Sequence, residues 1–229
     1  MQDAVSTLTF DVYGTLVDVD PAGMAEHLRA DVGENAAAFA TLWYEKTLEY
    51  SFRRGLMQHY ATFAACGAEA LDYCTQRFQV DISKLRRAEL MEASEWLPAF
   101  ADAAPALTRL RAAGHRLFAF SNGTAAHVDA LLNYASLRAL FDGIVSVDEV
   151  RTFKPAPAVY AYARRATGAW SGPCWLVSGN AWDVIGARAA GLDAAWIRRS
   201  EAQIFDPWGI EPTLIVASLT ELAARLAAT

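Results

Sequence analysis

Residues 8–16 read L-T-F-D-V-Y-G-T-L, an apolar run that closes on a carboxylate and is followed at once by a Gly-Thr turn. A short apolar run bounded by a turn suits a buried strand over Ser6–Phe10. Asp11 then stands at the carboxyl end of that strand, where open α/β sheets bind their ligands. A carboxylate in that place can be a metal ligand, a general base or a nucleophile.

From Pro98 onward the chain alternates short apolar strands with amphipathic helices. Strands are predicted over Arg116–Phe120, Ile144–Val147, Cys174–Val177, Ala194–Ile197 and Leu214–Val216. Between and beside them lie helices over Ala101–Ala113, Thr124–Asn133, Ala156–Thr167, Ala181–Ala190 and Leu219–Leu226. Such alternation predicts an α/β fold built on a parallel sheet. Between Pro21 and about Leu97 the rhythm is helical throughout. A long helix is expected over Ala37–Phe63 with a break near Gly55, then helices over Ala68–Phe78 and Ile82–Ala93, the latter capped by Asp81 or Ser83. The chain therefore reads as a core of residues 1–16 and 98–229 interrupted by a helical insertion of residues 17–97.

Of the 229 residues, 54% are hydrophobic and 20% charged, ample for a sizeable core, and the formal net charge is −6. An acidic balance argues against nucleic acid or an anionic membrane surface as partner. The three cysteines, Cys66, Cys74 and Cys174, form no C-x-x-C pair and read as reduced, buried thiols. The N-terminus lacks a basic and then apolar leader, and no run of roughly 18 apolar residues is present, so a soluble cytoplasmic protein is expected.

Polar clusters follow three strands: Asp11 with Thr15, Ser121 with Asn122, and Ser178 with Asn180 and Asp183. Lys154, before Pro155, faces the same edge. In a parallel sheet these ends converge on one crevice. Each of Ser178, Asn180 and Thr124 taken singly reads equally well as a helix cap. Lysine beside two aspartates favours ionised carboxylates, and an ionised, partly desolvated carboxylate is a competent nucleophile. Backbone N–H groups after the strands, with Ser121 and Asn122, suit a small anion.

The pieces F-D-V-Y-G-T-L at 10–16, F-S-N-G at 120–123, F-K-P-A-P-A-V-Y at 153–160 and S-G-N-A-W-D at 178–183 resemble, in order and spacing, the haloacid dehalogenase superfamily. Closest is its 2-haloacid dehalogenase (type II) branch, and L-E-Y at 48–50 resembles that branch's helical cap. The resemblance implies a Rossmann-like core with an inserted cap. It also implies a two-step reaction without cofactor or metal on a short 2-substituted carboxylic acid and water. Asp11 would attack the α-carbon to form an ester, and a water would hydrolyse it with help from Asp183, Asn180, Ser178 and Lys154. Thr15 would orient Asp11, and Tyr160 would bond towards the lysine–aspartate group. Ser121 and the amides near Val12 and Tyr13 would take the substrate carboxylate, with Asn122, Phe63 and Trp182 lining the pocket. A homodimer through helical surfaces is common in the family.

Superfamily phosphatases carry a second aspartate where this chain has Tyr13, and a metal-holding carboxylate where it has Asn180. Both departures point away from magnesium and phosphoryl transfer, because a neutral amide anchors Mg²⁺ poorly. A third departure concerns the leaving group. The branch usually places an arginine in W-R-x-K-x-L-E-Y, and here that position is Tyr44. A tyrosine tolerates or attracts a cationic leaving group that an arginine repels, so ring opening of azetidine-2-carboxylate by the same chemistry is a rival. Alternatively Arg53 or Arg54 reaches the pocket, or Tyr44 only packs. A non-catalytic small-acid binder is the remaining reading. The four histidines show no zinc-ligand spacing, there is no G-x-S-x-G or P-loop, and Cys174 reads as core.

Overall fold

The computed structural model describes residues 6–19, 21–93, 96–170 and 172–226. Among them, β1 (Thr7–Phe10), β2 (Arg116–Ser121), β3 (Gly143–Ser146), β4 (Cys174–Ser178), β5 (Asp193–Ile197) and β6 (Leu214–Val216) form one sheet. Its order is β3-β2-β1-β4-β5-β6, and every neighbouring pair is parallel. Strands of such sheets are covered on both faces and so carry continuous apolar runs. In β1, Leu8 and Phe10 are fully buried, and the one internal hydroxyl, on Thr9, is satisfied by donating to the Trp175 carbonyl at 2.8 Å.

Phe10 is level with Ala119 on one side and Val177 on the other. Asp11 therefore leaves the sheet beside the last residues of β2 and β4. The strand order runs outward in both directions from β1, so a topological switch point opens at the carboxyl ends of β1 and β4. Polar residues at three separate chain positions thus reach one place.

The chain divides into two compact units, Met1–Asp18 with Pro98–Thr229, and Val19–Leu97. Val17 and Asp18 remain with the sheet unit because Val17 bridges to both Tyr13 and Ala99 and the Asp18 amide donates to the Pro98 carbonyl at 2.9 Å. The second unit is helical: α1 (Pro21–Val32), α2 (Ala36–Leu56), α3 (Phe63–Phe78) and α4 (Lys84–Ala93). Its core gathers Leu28, Phe39, Trp43, Leu71, Cys74 and Leu90. The Trp43 indole N–H donates to the Gly67 carbonyl at 2.8 Å.

Two helix boundaries differ from the sequence reading by more than two residues. The helix expected over Ala37–Phe63 ends at Leu56, at the break expected near Gly55, and the next begins at Phe63 rather than Ala68. Thr62 explains the early start: it is extended and its hydroxyl accepts from the Ala65 amide, capping α3 five residues earlier than expected. At α4 the cap is Ser83, whose hydroxyl accepts from Arg86 N at 3.2 Å.

In the sheet unit, α5 (Ala103–Ala112), α6 (Ala125–Tyr134), α7 (Pro157–Ala166), α8 (Ala181–Ala189) and α9 (Leu219–Leu226) accompany the strands. Ser121 and Ser178 are the final residues of β2 and β4, one step inside the strands relative to the sequence reading. Both are fully buried, which their hydroxyls permit by accepting from the amides of Gly123 and Asn180 respectively, each at 3.1 Å. Among the described residues no helix is long and apolar enough to cross a membrane.

Candidate active site

Asp11 is nearly buried, and its two carboxylate oxygens are held differently. Oδ2 accepts from the Thr15 hydroxyl at 2.8 Å, the Asn180 side-chain amide at 2.9 Å and the Ser178 hydroxyl at 3.4 Å. Oδ1 accepts from the Lys154 ammonium at 3.0 Å. The same ammonium donates to Asp183 Oδ2 at 2.8 Å and to the Phe120 carbonyl at 2.9 Å, and lies 4.1 Å from the Phe120 ring centroid. Asp183 Oδ1 accepts from the Tyr160 hydroxyl at 2.7 Å. Lys154 is itself placed by Asn122, whose side-chain oxygen accepts from the Lys154 amide at 3.1 Å.

Local backbone geometry makes this grouping feasible. Thr15 sits in the turn after β1, donating to Asp11 and accepting from the Gly179 amide at 2.8 Å, so one hydroxyl ties two strand ends together. A Cβ at Gly179 would collide with the Gly14 carbonyl oxygen, so only glycine lets the turns after β1 and β4 approach this closely. Asn180 stands at the cap position of α8 but makes no capping bond; its amide is spent on Asp11 and, at 3.0 Å, on the Tyr13 carbonyl. The simple cap reading therefore fails for Asn180, and it holds for Thr124, which accepts from His127 N.

Two carboxylates and one ammonium share a water-poor space. Burial works against the Lys154 charge, but Asp11 and Asp183 together outweigh it, and the lysine pKa stands above its ordinary value. Asp183 moves opposite to the sequence expectation that lysine simply keeps it ionised. Burial, reinforced by Asp11, outweighs Lys154, and its pKa is raised above that of an ordinary carboxylate. Tyr160 is pushed well above the ordinary tyrosine range, by burial first and then by Asp183, so it stays protonated as a donor. The donor set does not suit Mg²⁺: an ammonium already bridges the two carboxylates, and Asn180 presents an N–H to Asp11.

The profile of the haloacid dehalogenase-like hydrolases matches residues 5–191. The chain belongs to that family. Within the haloacid dehalogenase-like hydrolases it falls in the 2-haloacid dehalogenase (type II) branch, as its relatives show. The (S)-2-haloacid dehalogenase of Pseudomonas sp. (strain YL) is 34% identical over 218 residues, spanning 95% of this chain and 92% of that protein. A solved dehalogenase superposes with a TM-score of 0.90 at 32% identity, covering 99% of both chains. The L-2-haloacid dehalogenase from Xanthobacter autotrophicus with chloropropionic acid covalently bound gives 0.88 at 28% identity, covering 96% of this chain and 97% of that one.

Of the residues singled out from the sequence of this haloacid dehalogenase-like hydrolase, Asp11, Thr15, Lys154, Tyr160, Ser178, Asn180 and Asp183 form one hydrogen-bonded group, with Asn122 joined to it through Lys154. Val12 is buried, and its carbonyl accepts from the amides of Thr15, Leu16 and Val17. Ser121 accepts from Gly123, a bond that does not use its own proton. Trp182 is half-buried in the first turn of α8. Tyr44 and Phe63 belong to the helical unit, half-buried on α2 and at the first position of α3. Arg53 and Arg54, the alternatives to Tyr44, are paired with Glu49 and Glu69 inside that unit. Cys174 is core: burial raises its pKa to about 11.

One contact escaped the sequence reading. Tyr13 OH lies 2.8 Å from Nε2 of His127 on α6. No local pattern links His127 to a residue 114 positions away.

Proposed function

We propose that this chain is a metal-independent hydrolase that displaces the leaving group at the α-carbon of a short 2-haloacid through an ester on Asp11. The relatives support this substrate class: several are (S)-2-haloacid dehalogenases. The observation that carries the reading is the unequal treatment of the two Asp11 oxygens: among the described residues, Oδ2 holds three side-chain donors and Oδ1 one, Lys154.

Oδ1 keeps lone-pair capacity and is the attacking atom. It bonds to the α-carbon as the halide leaves with the bonding pair, inverting that carbon. The ester carbonyl is then Oδ2, already surrounded by Thr15, Asn180 and Ser178. Water attacks the Asp11 carboxyl carbon, and Asp183, whose pKa burial raises, takes the proton. The charge that develops on Oδ2 meets donors fixed in advance, an arrangement worth roughly 10²–10³ in rate per donor. Collapse breaks the bond between the Asp11 carboxyl carbon and the ester oxygen, the second proton of the attacking water passes to that oxygen, and the 2-hydroxy acid leaves as Asp11 returns to a carboxylate. Lys154 holds both carboxylates in register, and Tyr160 fixes Asp183. Ser121 and the amides of Val12 and Tyr13 receive the substrate carboxylate, beside Asn122 and Trp182.

A single turnover of (S)-2-chloropropionate in heavy-oxygen water, with EDTA present, tests this reading. Label is expected in Asp11 before it reaches product. Label directly in product with Asp11 unlabelled, or loss of turnover in EDTA, would refute it.

Tyr44 supports a second reading, hydrolytic ring opening of azetidine-2-carboxylate by the same attack, because no guanidinium stands at the position that receives halide in the branch. Tyr44→Arg is then expected to raise halide release and lower amine displacement. Unchanged rates for both would remove Tyr44 from the leaving-group site.

A further inference from the structure

Arg199 lies two residues beyond β5, at the edge of the hydrogen-bonded group around Asp11, and is largely buried. One guanidinium nitrogen, Nη2, donates to the Thr15 carbonyl at 2.7 Å. The other, Nη1, donates to both oxygens of Asp102, at 3.2 and 3.3 Å. The guanidinium carbon lies 3.6 Å from the centroid of the Phe100 ring. Burial lowers the Arg199 pKa, with Asp102 opposing. Asp102 is anchored in turn, accepting from the Leu219 amide at the start of α9 at 2.8 Å, and the Phe100 amide donates to the Leu16 carbonyl at 2.9 Å. Planar stacking on one face and a forked pair of contacts along the edges fix the guanidinium in one orientation.

The Thr15 carbonyl and the Thr15 hydroxyl belong to one residue, so a force on the first is felt by the second. Thr15 is fully buried, and its hydroxyl spans 2.8 Å to Asp11 on one side and 2.8 Å to the Gly179 amide on the other. If the carbonyl lost its partner, the peptide would turn towards another donor, and a shift of about 1 Å would carry the hydroxyl beyond hydrogen-bond range of Asp11. We propose that Arg199 is a positioning residue for Asp11, acting through Thr15 to hold Oδ2 and so leave Oδ1 aimed at the substrate carbon. This rests on the reading of Asp11 as nucleophile.

Lysine cannot reproduce a forked, stacked contact, so Arg199→Lys separates geometry from charge, and Arg199→Met removes both. Each variant is compared with wild type in two measurements. With (S)-2-chloropropionate, kcat is expected to fall about 10- to 100-fold, with KM within about twofold. By amide hydrogen exchange, Gly179 N–H is expected to exchange about tenfold faster or more, with Leu176 in the middle of β4 unchanged, because only the turn is released. A general structural role would move both amides together. The inference is overturned if wild type is active and Arg199→Lys keeps its kcat, or if Gly179 exchanges no faster relative to Leu176. Wild type inactive on the haloacid refutes the functional reading instead, and the Gly179 exchange then decides alone whether Arg199 holds Thr15.

Discussion

Replacing Lys154 with methionine removes the ammonium that contacts both buried carboxylates. In wild type the ammonium lies 3.0 Å from Asp11 and 2.8 Å from Asp183, fully enclosed. Each contact is worth about 6 kcal/mol at an effective dielectric of about 20. Much of that is offset by the cost of taking the lysine itself out of water, so the expected net loss is about 3–5 kcal/mol at pH 7, as for other buried pairs that lose one partner. The loss should depend on pH in a defined direction. Lys154 opposes the upward push of burial on Asp183; without it the Asp183 pKa rises further in the folded state. The folded variant then binds a proton at a pH where the unfolded chain does not, so its stability relative to wild type increases as pH falls. Urea unfolding at pH 7 and pH 5 measures this, and the deficit should be smaller at pH 5. Adding Asp183→Asn should recover part of the deficit at pH 7. A deficit under about 1 kcal/mol at pH 7, or one identical at the two pH values, would refute the view that Lys154 balances the two carboxylates.

Stability should also fall on the alkaline side, because the folded pKa values of Tyr160 and Lys154 lie above their ordinary 10.0 and 10.5. Their contribution is complete below those values and is lost as pH climbs through the raised ones. Tyr160→Phe should flatten the fall in thermal midpoint above pH 10; superposable curves would contradict the assignment. Gly179→Ala places a Cβ against the Gly14 carbonyl and should destabilise the protein by about 1–3 kcal/mol while loosening the Gly179–Thr15 bond. A neutral substitution, measured by urea unfolding, would show that the two turns can separate freely. Cys74 and Cys174 are buried, with pKa values of about 11. Iodoacetamide at pH 8 should modify them only as the protein unfolds, and rapid labelling of the native state would place them at the surface.

Much of the framework was legible because it is written in local patterns. The apolar run into Asp11, the alternation after Pro98 and the helical stretch before it each reflect a periodicity that secondary structure imposes on neighbours. Boundaries were less legible where one side chain decides them. Phe63 begins a helix because Thr62 caps it, and Ser121 and Ser178 extend their strands because nearby amides satisfy their hydroxyls.

The sequence alone determined that several polar strand ends exist and which residues occupy them, since a strand followed by a turn needs nothing beyond its neighbours. Tertiary structure decided the rest. The central place of β1, between β2 and β4, brings Asp11 against Lys154 and Asn180, which follow it by 143 and 169 residues. Burial then reverses the expected direction of the Asp183 pKa. Arg199 reaches Thr15 across 184 residues and His127 reaches Tyr13 across 114, contacts that no local pattern encodes. Periodicity acts along the chain, whereas Coulomb forces, desolvation and hydrogen bonds act through space. Which residues they join is therefore settled only when the sheet is assembled.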